Sequence, residues 1–316
     1  MVEKLLSLGH SVTGMDNYST GRKANLDFLK SNKALKIVEA DIADFSAIEP
    51  HFKGVDWVFH IAALADIVPS IQNPLAYHRS NVDGTVSVLE ASRKHGVKRF
   101  HYAASSSCYG IPDVTPTPET AALRPQYPYA LSKNLGEQIV MHWGQVYKLP
   151  VVSTRFFNVY GPRSRTSGTY GAVFGVFLAQ KLKNQPFTVV GDGNQTRDFT
   201  FVTDVTDACI AIVQSNVSEE IFNVGSGRPT SVNRIVELLD DRGGRVVHIP
   251  KRPGEPDVTH ADISKIARVI GWKPKISIEE GVEVLLQNID YWREAPVWTE
   301  ASIQEATQDW FKYLSV

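Results

Sequence analysis

Ser105-Ser106-Ser107-Cys108-Tyr109-Gly110 and, further on, Tyr129-Ala130-Leu131-Ser132-Lys133 are the stretches whose reading decides the fold. The first closes a run, Arg99-Phe100-His101-Tyr102-Ala103-Ala104, that is largely apolar and then turns into three hydroxyls, as a buried strand does at a sheet edge. The second opens a helix. With Tyr at i and Lys at i+4 the two side chains share one helical face, because four residues make about one turn. A phenol beside an ammonium is a base in waiting: at about 4 Å and an effective dielectric of about 20 the pair interacts by about 4 kcal/mol, or about three pKa units. That is enough to bring a phenol from about 10 toward about 7, where a general base works best. The spacing alone is common, so its weight rests on its surroundings.

Outward from these stretches, strands alternate with helices. Ser11 to Met15 reads as a strand ending at Asp16, followed by the turn formers Asn17, Ser19, Thr20 and Gly21. Leu35 to Glu39 and Val55 to Ile61 read as further strands, and Pro74 to Lys94 as a helix ended by Gly96. The helix carrying Lys133 runs to about Tyr147, and Val151 to Phe156 is the next strand. This rhythm predicts a doubly wound, Rossmann-like parallel sheet. In that setting Asp16, at a strand end, suits the adenosine ribose hydroxyls and favours NAD over NADP; from Asp16 alone a plain turn fits equally well. A dinucleotide fold also carries a Gly-x-x-Gly-x-x-Gly loop after its first strand, yet Val2 to Leu8 already reads as the helix that follows such a loop. The first strand and its loop are therefore expected to be missing, and Met1 to lie downstream of the native start. If Met1 is that start, dinucleotide affinity should be severely reduced.

The chain has 316 residues, room for one large α/β domain and a smaller partner. A net charge of −1 carries no electrostatic footprint for nucleic acid or an anionic membrane. No apolar run is long enough for a membrane span. Cys108 and Cys209 make neither a disulfide framework nor a metal set, so the expectation is reduced thiols, no metal and a cytoplasmic protein. After Pro162 the rhythm breaks. Arg163 to Gly171 reads as a loop at a pocket mouth, Ala172 to Lys183 as a helix and Thr188 to Val190 as a short strand. Asp204 to Gln214 and Ile221 to Val224 return to the helix–strand pattern. The expected division is residues 1–157 as the dinucleotide-binding domain, with 200–225 returning to it, and 158–199 and 226–316 as a smaller mixed α/β substrate lobe. In the C-terminal part Ile278 to Trp292 and Thr299 to Tyr313 read as amphipathic helices, with Trp292, Trp298, Trp310 and Tyr313 as packing residues.

Taken together, the motifs resemble the extended short-chain dehydrogenase/reductase family and, within it, the nucleotide-sugar epimerases and dehydratases. The resemblance runs through Asp16-Asn17-Tyr18-Ser19-Thr20-Gly21, Asp41-Ile42, His60-Ile61-Ala62-Ala63, Asn81-Val82-Asp83-Gly84-Thr85 and the two opening stretches. It continues through Arg155-Phe156-Phe157-Asn158, Arg197-Asp198-Phe199, Asn223-Val224-Gly225 and Arg252-Pro253-Gly254-Glu255. It implies NAD as cofactor, a UDP-sugar as substrate, and a homodimer through the helices around 74–94 and 130–147. It implies Tyr129 as general base on the sugar 4-hydroxyl, Lys133 as the group that lowers its pKa and holds the nicotinamide ribose, and Ser105 as the hydroxyl that relays the proton. Ser106 and Ser107 would contact the sugar, or else simply cap the strand end. Asp16, Asn17, Ser19, Thr20 and Gly21 would hold the adenosine ribose side, and Asp41 and Ile42 the adenine. Ala62 and Ala63 would let the cofactor approach the backbone, and Asn81 would face it. Arg197 and Arg252 would bind the diphosphate beside Asn158, and Thr259 would bound the pocket at C2 of the sugar.

By the same resemblance a 4,6-dehydratase carries an acid pair where this chain has Ser106 and Ser107, and a decarboxylase a Glu at the second place. A hydroxyl is a poor substitute for a carboxylate there, so the pattern favours 4-epimerisation of UDP-glucose, with the N-acetylated sugar tolerated. A uronic-acid epimerase, a decarboxylase, a dehydratase, a 4-ketoreductase or a non-catalytic nucleotide-sugar binder are the alternatives.

Overall fold

Apolar runs separated by turn residues become parallel strands, and the helices between them carry the chain from one strand to the next. The computed structural model describes residues 1–164, 172–240 and 243–315, so most of the loop expected at Arg163 to Gly171 lies outside the described residues. Strands β1 (Val12–Asp16), β2 (Leu35–Glu39), β3 (Trp57–His60), β4 (Arg99–Ser105) and β5 (Val151–Phe156) lie within two residues of their expected bounds. They are followed by β6 (Asn158–Tyr160), β7 (Phe187–Val190), β8 (Thr196–Phe201), β9 (Glu220–Val224), β10 (Pro229–Ser231) and β11 (Val246–Ile249).

The main sheet is parallel in the order β3-β4-β5-β9, so β9 comes back from the second half of the chain to stand beside β5. Its strands are buried on both faces, and polar side chains they carry, among them His101, Ser153, Thr154, Arg155 and Asn223, are buried with hydrogen-bond partners. Val151 joins Phe100, Tyr102, Leu89 and Val140 on one face; Val152, the next residue, joins Cys209, Ile212, Phe222 and Val224 on the other. Helices Gly84–Lys94 and Pro128–Tyr147 cover the first face and helix Val202–Gln214 the second, which makes the sheet doubly wound. β1 and β2 pair with each other, but among the described residues no strand joins this ribbon to β3. Side chains bridge the interruption instead: the His10 and Trp57 rings lie 4.8 Å apart.

The remaining strands form β10-β8-β6 and β11-β7, around a separate core of Tyr160, Phe174, Phe177, Phe199, Ile235 and Trp292. The expected helix from Pro74 to Lys94 is divided into Pro74–His78, a π-helical turn Arg79–Asp83, and Gly84–Lys94. Such a wide turn re-aims one side chain, here Asn81. The C-terminal segments are shorter than expected: Ile278–Gln287 with a 3-10 turn Ile289–Trp292, then Glu300–Ala306 and Gln308–Leu314. Trp292 is fully buried, whereas Tyr313 is 60% exposed and is not a packing residue. No helix among the described residues is long and apolar enough to cross a membrane.

Candidate active site

β4 delivers Ser105 to the carboxyl end of the main sheet, where Ser106–Tyr109 folds into a single 3-10 turn. Ser105 caps it: its Oγ accepts the Ser107 N–H at 3.2 Å and lies 2.8 Å from the Ser107 Oγ. Gly110 ends it at φ 63°, where a Cβ would stand 2.1 Å from the Arg124 carbonyl oxygen, so the turn closes only with glycine. The facing helix starts at Pro128, whose fixed φ suits a first helical position and whose ring holds Tyr127 extended. The Tyr127 and Tyr129 rings stack with centroids 6.4 Å apart. Further along, Gly136 lets the helix press on β4; a Cβ there would lie 2.2 Å from the Tyr102 phenolic oxygen. This close approach sets the Lys133 Nζ over the Tyr102 ring, 4.3 Å from its centroid.

The electrostatics differ from the sequence expectation. Burial raises the Tyr129 phenol above its usual value; the Ser105 hydroxyl lowers it, and the charges of Asp66 and Cys108 raise it. Burial brings Lys133 down to about 7, opposed by Glu137 one turn on. Lys133 is therefore not the group seen to depress Tyr129. Its ammonium lies on an aromatic face and loses charge to desolvation, while the hydroxyl of Ser105 favours the phenolate. Glu137 in turn accepts the Arg155 Nε at 3.1 Å on both oxygens and the Ser153 Oγ at 2.9 Å, with both charged side chains 3% exposed. Arg155 also donates to the Tyr109 hydroxyl at 2.9 Å, and Tyr109 donates to Asn223 at 2.7 Å. One buried network thus ties the Tyr129 helix to the serine turn and to β9.

The expected cofactor residues lie at the ends of β1, β2 and β3. Asp16 accepts the Tyr18 N–H at 2.7 Å, with Gly21 so near that a Cβ would sit 2.9 Å from the carboxylate. Asn17 accepts the Ser19 N–H at 3.0 Å; both are exposed, and Thr20 is half-buried. Asp41 accepts the Ala43 N–H at 2.9 Å and pairs with Arg79, while Ile42 is buried against Gly84. Ala62 is exposed and Ala63 half-buried. Asn81 does not face a cofactor: its amide donates to the Leu64 carbonyl and the Ser132 Oγ, both at 2.9 Å, and accepts the Leu64 N–H at 2.8 Å. The π-helical turn spends this side chain on stapling the loop after β3 to the Tyr129 helix.

A dinucleotide fits this edge at its two ends. Exposed Asp16 offers acceptors for a ribose, and Lys133 is a buried ammonium with no hydrogen-bond acceptor among the described residues, which a second ribose diol would supply. Between β1 and β3 no glycine-rich turn among the described residues offers backbone N–H groups to a pyrophosphate.

A cavity of about 680 Å³ opens beside Tyr129, and Ser105, Ser106, Ser107, Asn158, Arg197, Arg252 and Thr259 all line it. Glu255 bridges the two arginines, accepting from Arg252 at 3.0 Å and from Arg197 at 3.4 Å. Both guanidinium groups thus stand on the same wall of the cavity. Thr259 donates to Asn158 at 3.1 Å and accepts the Asp198 N–H at 3.0 Å. Asp66, Tyr127, Trp298 and Trp310 also line the cavity. Trp298 and Trp310 are thus more than packing residues; Arg252 lies over the Trp310 ring, 5.3 Å from its centroid. Tyr127 had one signal in the sequence, its place before a proline next to Tyr129.

The chain belongs to the family described as GDP-mannose 4,6 dehydratase, whose sequence model matches residues 1–285, and so to the extended short-chain dehydrogenase/reductases that epimerise or dehydrate nucleotide sugars. The UDP-glucose 4-epimerase of Mycolicibacterium smegmatis is 33% identical over 288 residues, 89% of this chain and 91% of that one. The crystal structure of UDP-glucose 4-epimerase with UDP-glucose from Thermotoga maritima aligns with a TM-score of 0.85 at 32% identity, over 93% of this chain and 94% of that one. UDP-glucuronic acid 4-epimerase from Bacillus cereus, in complex with UDP-glucuronic acid and NAD, aligns with a TM-score of 0.84 at 27% identity, over 91% and 94%.

Proposed function

We propose that this protein is an NAD-dependent 4-epimerase of UDP-hexoses, acting on UDP-glucose and UDP-galactose and accepting the N-acetylhexosamines. The observation that carries the choice of reaction is the end of β4 and the turn after it, which offer the cavity the hydroxyls of Ser105, Ser106 and Ser107 and no carboxylate. Removing water across C5 and C6 needs an acid and a base on that wall; moving a proton on and off O4 needs only hydroxyls and one phenol. The hydroxyl-bearing stretches, the paired arginines and the relatives named as 4-epimerases support the same reading.

Asp16 and its turn would hold the adenosine ribose, Asp41 and Ile42 the adenine, and Lys133 the nicotinamide ribose. When bound, NAD accepts the C4 hydride and later returns it. Tyr129 takes the O4 proton through Ser105 as the 4-keto sugar forms. Arg197 and Arg252 hold the diphosphate, whose oxygens suit their planar donor forks. The sugar turns about that anchor and presents its other face, and Tyr129 gives the proton back to O4. Residues 158–199 and 226–316 serve as the lobe that carries the nucleotide. Thr259, of middling size, leaves room at C2 for an acetamido group.

A homodimer is part of this proposal. Leu75, Leu131, Val146 and Tyr147 are exposed apolar residues on helices Pro74–His78 and Pro128–Tyr147, and light scattering should give the mass of two chains. The functional test is product analysis of purified protein with UDP-glucose and, separately, UDP-N-acetylglucosamine, together with assay of NAD released on denaturation. The expected products are the galacto epimers of both. A 6-deoxy-4-keto product, or no epimer from either sugar, would overturn the reading; inertness toward the acetylated sugar alone would overturn the part assigned to Thr259.

A further inference from the structure

The last two helices reach from the helix after β3 to the loop after β11 and set a ring against an arginine of the cavity. Helix Glu300–Ala306 opens on a capping box: the Thr299 Oγ1 accepts the Ser302 N–H at 3.3 Å, and the Ser302 Oγ accepts the Thr299 N–H at 2.9 Å. Thr307 leads into helix Gln308–Leu314, and Ile303, Thr307 and Trp310 are all buried. On one side Gln72, at the end of helix Ile67–Gln72, donates to the Asp309 carboxylate at 2.9 Å. On the other, Trp310 donates its indole N–H to the Pro253 carbonyl at 2.8 Å. The Arg252 guanidinium lies over the same ring, 5.3 Å from its centroid, with its side chain only 12% exposed. The Tyr127 ring meets it from the cavity side at 6.4 Å. The family's sequence model matches no further than residue 285, so Trp310 enters the cavity wall from a segment outside that match.

We propose that Trp310 is a positioning residue for binding the nucleoside diphosphate: its N–H holds the backbone beside Arg252, its face holds the guanidinium, and Asp309 ties this clasp to the helix after β3. The inference rests on the reading of Arg252 as a diphosphate ligand. A free arginine side chain has many rotamers, and a phosphate that meets it disordered must first order it. A guanidinium already set on an aromatic face, with Glu255 accepting from it at 3.0 Å, presents its planar fork preorganised. The ring carries no formal charge, so it steadies the cation without cancelling it, as a second carboxylate would. Proline fixes its own φ and restricts the residue before it, so a bond to the Pro253 carbonyl holds the Arg252 backbone as well.

Trp292 shows what a tryptophan that only packs looks like in this chain. It is fully buried in the core around Tyr160 and Phe174, and its indole N–H has no hydrogen-bond partner among the described residues. Trp310 differs on each count that matters to a site. It borders the cavity, its one polar atom is bonded to the residue next to Arg252, and its face is turned to that side chain.

Calorimetric titration with UDP tests the proposal in wild type, Arg252→Met, Trp310→Leu and the double variant. Trp310→Leu should raise the Kd for UDP roughly tenfold, the size of a partly desolvated cation–π contact together with a hydrogen bond. In the Arg252→Met background the same replacement should change Kd by less than about twofold, because the ring acts through the guanidinium. In turnover the KM for UDP-glucose should rise roughly tenfold while kcat stays within about twofold, a split that a general loosening of the fold would not produce. Trp310→Phe keeps a ring face and loses the N–H; it should cost roughly threefold, again only where Arg252 is present, and it carries the test if Trp310→Leu does not fold. Wild-type affinity for UDP in both Trp310 variants while Arg252→Met is weakened, or equal losses with and without Arg252, overturns this proposal alone. An Arg252→Met protein that binds UDP as wild type does, or a wild type that binds none, overturns the reading of Arg252 and this inference with it. A wild type that binds UDP yet converts no UDP-hexose overturns only the proposed activity, and the binding ratios still decide the clasp.

Discussion

Replacing Glu137 by glutamine tests the buried network that holds the two catalytic stretches together. The carboxylate accepts the Arg155 Nε at 3.1 Å on both oxygens and the Ser153 hydroxyl at 2.9 Å, and both charged side chains are 3% exposed. Glutamine keeps the shape and one acceptor, but it turns an NH₂ toward groups that are themselves donors and leaves the guanidinium buried without a counter-charge. Breaking such a pair from one side costs about 3–5 kcal/mol. Arg155 retains its bonds to the Tyr109 hydroxyl at 2.9 Å and the Glu119 carbonyl at 3.0 Å, which puts the expectation near the lower end, about 3 kcal/mol. In a chain of this size that is a fall in melting temperature of about 4–5 °C. Because Glu137 is the charge that opposes the depression of Lys133, the variant should also retain less NAD. Circular-dichroism melting and assay of released NAD read both effects. Replacing Glu137 by Leu together with Arg155 by Met removes both charges and should recover most of the stability. A Glu137→Gln protein that melts within about 1 °C of wild type would refute the reasoning.

Three further perturbations have a worked sign. His60 and His101 are held neutral by burial, each down to about 3, while the unfolded chain protonates them near 6.5; stability is therefore full above pH 6.5 and falls as pH drops toward 3, by about 2 kcal/mol for the pair between pH 6.5 and 5.5. Urea denaturation at the two pH values checks this, and His101→Gln should flatten the slope. Gly136→Ala places a Cβ 2.2 Å from the Tyr102 oxygen and should cost about 1–3 kcal/mol, partly restored by adding Tyr102→Phe; a melting curve like that of wild type would rule out the close approach. Lys133→Met should abolish turnover yet raise stability by about 1–4 kcal/mol, because a buried ammonium is exchanged for an apolar chain; a destabilised variant would contradict the account of Lys133.

The strands were legible because short runs that open on apolar residues, such as Val151-Val152, are bounded by turn residues and alternate with helical stretches. The residues of the cavity were legible as motifs: Ser105, Tyr129, Arg197 and Arg252 come from distant parts of the chain and line one space. What the sequence hid depends on where side chains point. The i, i+4 spacing puts Tyr129 and Lys133 on one face, but it does not show that Gly136 draws the helix onto Tyr102 and gives the ammonium an aromatic partner. Asn81 reads as a residue facing the cofactor until the π-helical turn is seen to aim it at Leu64 and Ser132. The aromatic spacing of the C-terminal helices could not separate Trp310, which carries Arg252, from Tyr313, which is exposed.

The π-helical turn at Arg79–Asp83 has a mechanical consequence. Asn81 grips both backbone groups of Leu64 and the Ser132 hydroxyl, so the loop after β3 and the helix that carries Tyr129 are coupled as one body. Asp66 and Tyr129 border the same cavity from these two elements, and their separation is therefore held by one amide. Asn81→Ala should speed deuterium exchange in residues 62–66 while leaving residues 99–105 protected.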